Sequence, residues 1–314
     1  MAAFMKKHVK KAISLLLCVS LVCAFAACGK KVKAPVDLFA KIDSMKATQE
    51  ALALPDVKTP LDTLEGGKVD PALVGTWKMA SGIELTYTFA ENGISTAEVG
   101  NNGVPTEVPF TCIVRNERNI LCQEAPVMNY NEAGEATEGE KVLTYTSYQV
   151  DGDVLYLLSV ESHDEFSSSY YGSLQRLYRA DENGSIDSAV AENPIDISSF
   201  YGEWTAEKGG IVIDQNGLTL NGDVYTLSLN DKQQLVAEKD GVSTAYTFAV
   251  AESKEAANEE RTEWNESRTL VLNYEGADEN DKPNLLACMT DWAAEFGGED
   301  YRYDVRFTMP VSAS

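Results

Sequence analysis

From about residue 69 onward, apolar and polar positions alternate with a period of two. Ile83, Leu85, Tyr87 and Phe89 interleave with Glu84, Thr86 and Thr88, a pattern that on a pleated strand gives one face to a core and one to water. The punctuation agrees: Asn92-Gly93, Asn102-Gly103, Asp151-Gly152, Asn216-Gly217, Asn221-Gly222 and Asp240-Gly241 supply residues that tolerate positive φ, as two-residue hairpin turns require. Helical spacing is thin beyond residue 70, confined to 291–296 and part of 251–266. Before that point Val36, Leu38, Phe39, Ile42, Met45 and Leu52 recur at helical intervals, which predicts a short amphipathic helix over about 36–53. Pro55, Pro60 and Gly66-Gly67 then break regular structure, and the whole stretch 28–69 reads as a tether.

The strand-like part repeats itself. Leu73-Val74-Gly75-Thr76-Trp77 is echoed by Phe200-Tyr201-Gly202-Glu203-Trp204, and an arginine stands at equal distance beyond each tryptophan, Arg179 in the first copy and Arg306 in the second. Acidic stretches recur as well, at 124–140 and 251–266, and read as long loops at one end of each unit. Two copies of one domain are the economical explanation, over 70–180 and 198–314, joined by a polar linker over 181–197. With about eight strand candidates each, the copies predict an all-β chain of two tandem antiparallel β-barrels, because closure removes exposed sheet edges.

Gly75-Thr76-Trp77, the turn after it and the run from Glu84 to Gly93 resemble the opening of a lipocalin-like domain, and Gly202-Glu203-Trp204 repeats the motif. The resemblance implies that each Trp closes one end of its barrel under a basic residue of the last strand. Arg179 (or Arg176) and Arg306 (or Arg302) match that role by position. It also implies carriage of a small apolar molecule. Gly75, Trp77, Gly202 and Trp204 are accordingly structural closure residues.

Residues 5–28 combine a basic start (Lys6, Lys7, Lys10, Lys11), an apolar run from Ile13 to Phe25 and the small pair Ala26-Ala27 before Cys28. This end resembles the lipobox of bacterial lipoproteins, with Phe25 where an aliphatic residue is usual. The resemblance implies a signal peptide over 1–27 and a diacylglycerol on Cys28, which would anchor the mature chain to the outer face of the membrane or envelope.

Residues 1–27 hold four lysines and no acid, so although the whole chain carries a formal charge of −23, the part that follows carries −27. Such a charge repels phosphate backbones, argues against nucleic acid and favours a cationic or envelope partner. Beyond residue 28 three cysteines remain. Cys112 and Cys122 flank Asn116–Asn119 symmetrically about Glu117, which is compatible with a cross-strand disulfide in an oxidising exterior or with two reduced strand cysteines; Cys288 sits in an apolar run and reads as core. His163 is the one histidine after the signal, and there is no nucleophile elbow, phosphate loop, dinucleotide fingerprint or Cys-x-x-Cys pair. The sequence thus predicts neither catalytic residues, nor a metal, nor a cofactor. The expected function is that of a lipid-anchored, non-enzymatic protein binding a small apolar ligand inside a barrel. The alternative is a cell-surface interaction module with filled barrels.

Overall fold

The computed structural model describes residues 32–50, 70–82, 84–92, 94–101, 104–115, 120–130, 136–159, 169–258, 263–276, 289, 294–295 and 301–311. The chain is all-β. A helix α1 (Leu38–Glu50) precedes strands β1 (Gly75–Lys78), β2 (Leu85–Phe89), β3 (Ile94–Asn101), β4 (Val104–Arg115), β5 (Ile120–Tyr130), β6 (Ala136–Asp151), β7 (Val154–Ser159) and β8 (Ser169–Arg179). Each of these strands pairs antiparallel with the next, and β8 returns to β1 through Trp77↔Arg179 and Lys78↔Tyr178. The result is a closed eight-stranded barrel, as alternation and turn chemistry predict. Its interior holds Leu73, Trp77, Phe89, Leu121, Tyr148, Leu155, Leu157 and Leu177.

The second unit follows a short helix α2 (Asp187–Glu192) and a 3₁₀ turn (Ile197–Phe200). It contains β9 (Gly202–Ala206), β10 (Gly209–Asp214), β11 (Gly217–Leu220), β12 (Asp223–Leu229), β13 (Leu235–Lys239), β14 (Val242–Ala256), β15 (Trp264–Gly276), β16 (Ala294–Glu295) and β17 (Tyr301–Pro310). Strands β9 to β15 pair in sequence order, β15 pairs with β17, and Thr308 of β17 lies against Thr205 of β9. Two tight turns fall at predicted pairs, while the one expected at Asn216-Gly217 lies one residue earlier, with Gly217 already paired to Asp214. Asn221 and Gly222 have φ of 51° and 87°, Asp240 and Gly241 of 53° and 79°, so both hairpins turn through two left-handed residues.

The units are not beads on a string. The N-terminal half of β8 leaves the barrel and pairs antiparallel with β14, from Ser169↔Glu255 to Leu174↔Val250, and all seventeen strands belong to one hydrogen-bonded sheet. Consequently β7 is covered on both faces. Leu155 and Leu157 enter the barrel, whereas Val154, Tyr156 and Leu158 join the second unit's core, which is why Val154-Leu-Tyr-Leu-Leu158 is continuously apolar.

The described part of the expected tether, residues 32–50, is built into this seam. Helix α1 buries Leu38, Phe39, Ile42 and Met45 at 3, 0, 0 and 3 % exposure, in one core with Tyr156, Leu174, Trp204 and Val250. The chain before it is pinned too: Val36 bridges Ile195 in parallel, Lys33 N–H donates to the Glu192 carbonyl (2.9 Å) and Val36 N–H to that of Pro194 (3.0 Å). The linker 181–197 is therefore no free spacer, since Ala189, Val190 and Ile195 are core residues. The acidic stretches also differ from the loop expectation. β5 continues to Tyr130 and β6 starts at Ala136, while β14 continues to Ala256 and β15 starts at Trp264, so Glu124, Glu138, Glu140, Glu252, Glu255 and Glu266 lie on long hairpin arms.

Candidate functional site: a cleft in the seam between the units

At one end of the eight-stranded barrel Trp77 and Arg179 lie together. The Trp77 indole N–H donates to the Leu73 carbonyl (2.7 Å), and the Arg179 guanidinium stacks 4.1 Å from the ring. Arg179 also donates to the carbonyls of Val74 (2.8 Å) and Ala72 (2.6 Å) and lies 3.7 Å from Asp153. Gly75 has φ of +127°, which calls for glycine, and a Cβ there would come 2.8 Å from Arg179 Nη1 and displace the guanidinium.

In the second unit the tryptophan repeats and the arginine does not. The Trp204 indole donates to the Phe200 carbonyl (2.8 Å), four residues back as in the first copy. Arg306, however, is exposed and pairs with Val271 of β15. The register Thr205↔Thr308 brings Met309 beside Trp204, and a Cβ on Gly202 would run into the Met309 sulfur. Met309 thus holds the place that Arg179 holds in the first barrel, and Phe39 of α1 packs on the indole with centroids 5.9 Å apart. The assignment of Arg306 to closure is corrected accordingly. Equal spacing misled because the ladder of the second unit is offset by three residues.

The remaining sequence candidates fall as follows. Cys28, His163 and Cys288 lie outside the described residues. The register of β4 with β5 sets Cys112 opposite Gln123 and Ile113 opposite Cys122, one residue away from the alignment a directly opposed cysteine pair needs. Arg302 pairs with Glu275 along β17. Among the described residues, no group of three or more His, Cys, Asp or Glu side chains is placed to hold a metal.

Arg176, the other candidate for barrel closure, faces the seam instead. Where β8 parts from β1 and crosses to β14, a cleft of about 440 Å³ opens. Its apolar wall includes Leu38, Leu85, Tyr87, Leu174, Phe248 and Val250, and Arg176, Tyr178 and Gln233 contribute polar groups. A second, more polar depression of about 500 Å³ adjoins it, sharing residues 79–82, Thr247 and Asn273 and adding Glu84 and Lys232. The alternation along β8 puts Leu174, Arg176 and Tyr178 on one face, opposite Leu158, Tyr156 and Val154 of β7.

The polar side of the cleft is unusual. The Arg176 guanidinium lies 4.9 Å from the Tyr178 ring centroid and 5.8 Å from that of Tyr156, and its Nη2 donates to the Asn193 carbonyl. Its Nε and Nη1, and the Tyr178 hydroxyl, are buried without a hydrogen-bond partner. Burial pushes the hydroxyls of Tyr178 and Tyr156 upward, against the opposing pull of Arg176. Close by, Lys41 of α1 lies 4.7 Å over the Tyr156 ring and donates to Gln149 (3.3 Å). Burial first, and then the charges of Arg176 and Lys33, lower its pKa against the attraction of Asp151.

The other side of α1 is held by ions. Lys46 pairs with Glu252 (2.9 Å), and Arg268 pairs with Asp43 (3.2 Å), lies 3.9 Å from Glu252 and stacks on Phe39 (4.9 Å). Burial raises the Glu252 pKa, with Lys46 opposing and Asp43 assisting. Between its ordinary 4.5 and that higher value the folded chain keeps a proton that the unfolded chain has lost, so stability falls as pH rises through this window. Glu252→Gln is expected to remove that part of the slope, seen as a flatter denaturation midpoint against pH just above 4.5; equal slopes would refute it.

Sequence reasoning placed Arg176 in the wrong company and missed Lys41, Tyr156 and Tyr178. The one available signal was an arginine in a strand whose neighbours on the same face are Leu174 and Tyr178. Comparison with protein-family models, characterised proteins and solved structures gave no match to this chain.

Proposed function

We propose that this chain is a lipid-anchored, extracytoplasmic binding protein, without enzymatic activity, whose two lipocalin-like barrels together hold a small, largely apolar molecule. The observation that carries the reading is the 440 Å³ cleft, apolar for most of its wall and provided with a few convergent polar groups, the usual make-up of a small-molecule site. The cleft shifts the expected site from a barrel interior to the seam. In the first barrel, Trp77, Leu121, Leu155, Leu157 and Leu177 occupy the described part of the interior. Anchoring at Cys28 fits the way the chain from Lys33 onward joins the body directly, which would hold the seam close to the membrane.

The test uses the full chain with Cys28→Ser, exported from its host and purified without detergent. Mass spectrometry of the extracted protein is expected to find a bound small molecule. Ala249→Trp, which fills the cleft from β14, is expected to lose it while keeping a similar circular dichroism spectrum. Protein from repeated preparations that yields no small molecule, or the same one with Ala249→Trp, defeats the reading. Radiolabelled palmitate incorporated into the unaltered chain and absent from Cys28→Ser checks the anchor.

A further inference from the structure

Resting on that reading, we infer that the ligand is an amphiphile with a carboxylate head, its head beside Arg176 and Tyr178 and its apolar body along Leu38, Leu85, Tyr87 and Phe248. The inference starts from a charge without a counter-charge among the described residues. Although the chain has 49 acidic residues, none of the described ones forms an ion pair with Arg176. A half-buried guanidinium is costly to leave without acceptors, yet its buried Nε and Nη1 have no hydrogen-bond partner among the described residues.

The neighbours increase the demand. Lys41 adds a second cation whose burial already disfavours its charge, and Asp151, the nearby acid, is committed to Lys33 (3.2 Å). The Tyr178 hydroxyl, unpartnered and kept protonated by burial, is a further donor pointing to an acceptor ligand. Arginine and a phenol together suit a carboxylate, and hydrogen bonds to an ionised acceptor are about twice as strong as neutral ones. The apolar stretch from Leu85 and Tyr87 to Phe248 and Val250 suits a chain or ring. In a molecule of formal charge −23, the long-range field does not attract an anion, so recognition rests on these local groups.

The experiment titrates the full-length Cys28→Ser chain with dodecanoate and with 1-dodecanol by calorimetry at pH 8. Dodecanoate is expected to bind at least about tenfold more tightly, the order of one hydrogen bond to a charged group. Arg176→Gln should weaken the acid at least about tenfold and the alcohol much less, and Tyr178→Phe should weaken the acid more than the alcohol. If acid and alcohol bind the unaltered chain equally and Ala249→Trp abolishes both, the cleft still binds apolar molecules and the carboxylate inference is overturned. If neither binds, the binding reading and the inference fall together. Should Arg176→Gln misfold, the acid-to-alcohol ratio and Tyr178→Phe decide the question.

Discussion

Phe39→Ala is expected to destabilise the protein by about 3–5 kcal/mol, the range for removing a large aromatic side chain from a packed interior. Phe39 is fully buried, packs on the Trp204 indole and carries the Arg268 guanidinium on its other face. Its loss leaves a cavity at the point where α1, the second unit's core and the Arg268–Asp43 pair meet, and the ions around it cannot collapse into an apolar void. Ala40→Ser on the exposed side of the same helix should stay within about 0.5 kcal/mol. Urea denaturation of both variants is the measurement. A spacer helix would give two small effects, so a near-neutral Phe39→Ala would overturn the placement of α1 in the seam.

The strand pattern was legible because each hairpin carries its own instructions. Asn221-Gly222 and Asp240-Gly241 fix two-residue turns, and Trp77 and Trp204 each find a carbonyl four residues back, so local residues determine local geometry. The helix was legible for the same reason, its predicted span of about 36–53 meeting an observed Leu38–Glu50. Its burial was not, since an apolar stripe does not say what covers it. The β8–β14 pairing lies beyond local reading as well: Leu174 meets Val250 across 76 positions, and backbone hydrogen bonds between distant strand edges leave no mark in either segment. Only the unbroken apolar run from Val154 to Leu158 records it, as a strand buried on both faces. The cleft is a product of that pairing, so its residues became visible only once β8 was seen to divide between two partners. The cysteine symmetry about Glu117 failed by a single position, because the ladder that pairs Thr111 with Glu124 and Arg115 with Ile120 sets Cys112 opposite Gln123.

Arg179→Ala and Arg306→Ala, equivalent by spacing, are expected to differ widely. Removing the Arg179 side chain leaves the Val74 and Ala72 carbonyls without their donors and strips the cation from the Trp77 face. One lost charged hydrogen bond costs about 1.5–3 kcal/mol, and cation–π attraction adds about 0.5–1 kcal/mol at a partly exposed site. Because Arg179 keeps some contact with solvent, water can replace part of this, and a net loss of about 2–3 kcal/mol is expected. Arg306 is exposed on β17, and its truncation should cost no more than about 1 kcal/mol, the range for an exposed charged contact. Met309→Ala should cost more than Arg306→Ala, since the Met309 sulfur lies against the Gly202 backbone, where Arg179 lies against Gly75. Paired chemical denaturation curves give all three values. An Arg306 effect equal to that of Arg179 would contradict the β17–β9 register, and with it the view that one repeat closes over its tryptophan with a cation and the other with a thioether and a borrowed phenylalanine.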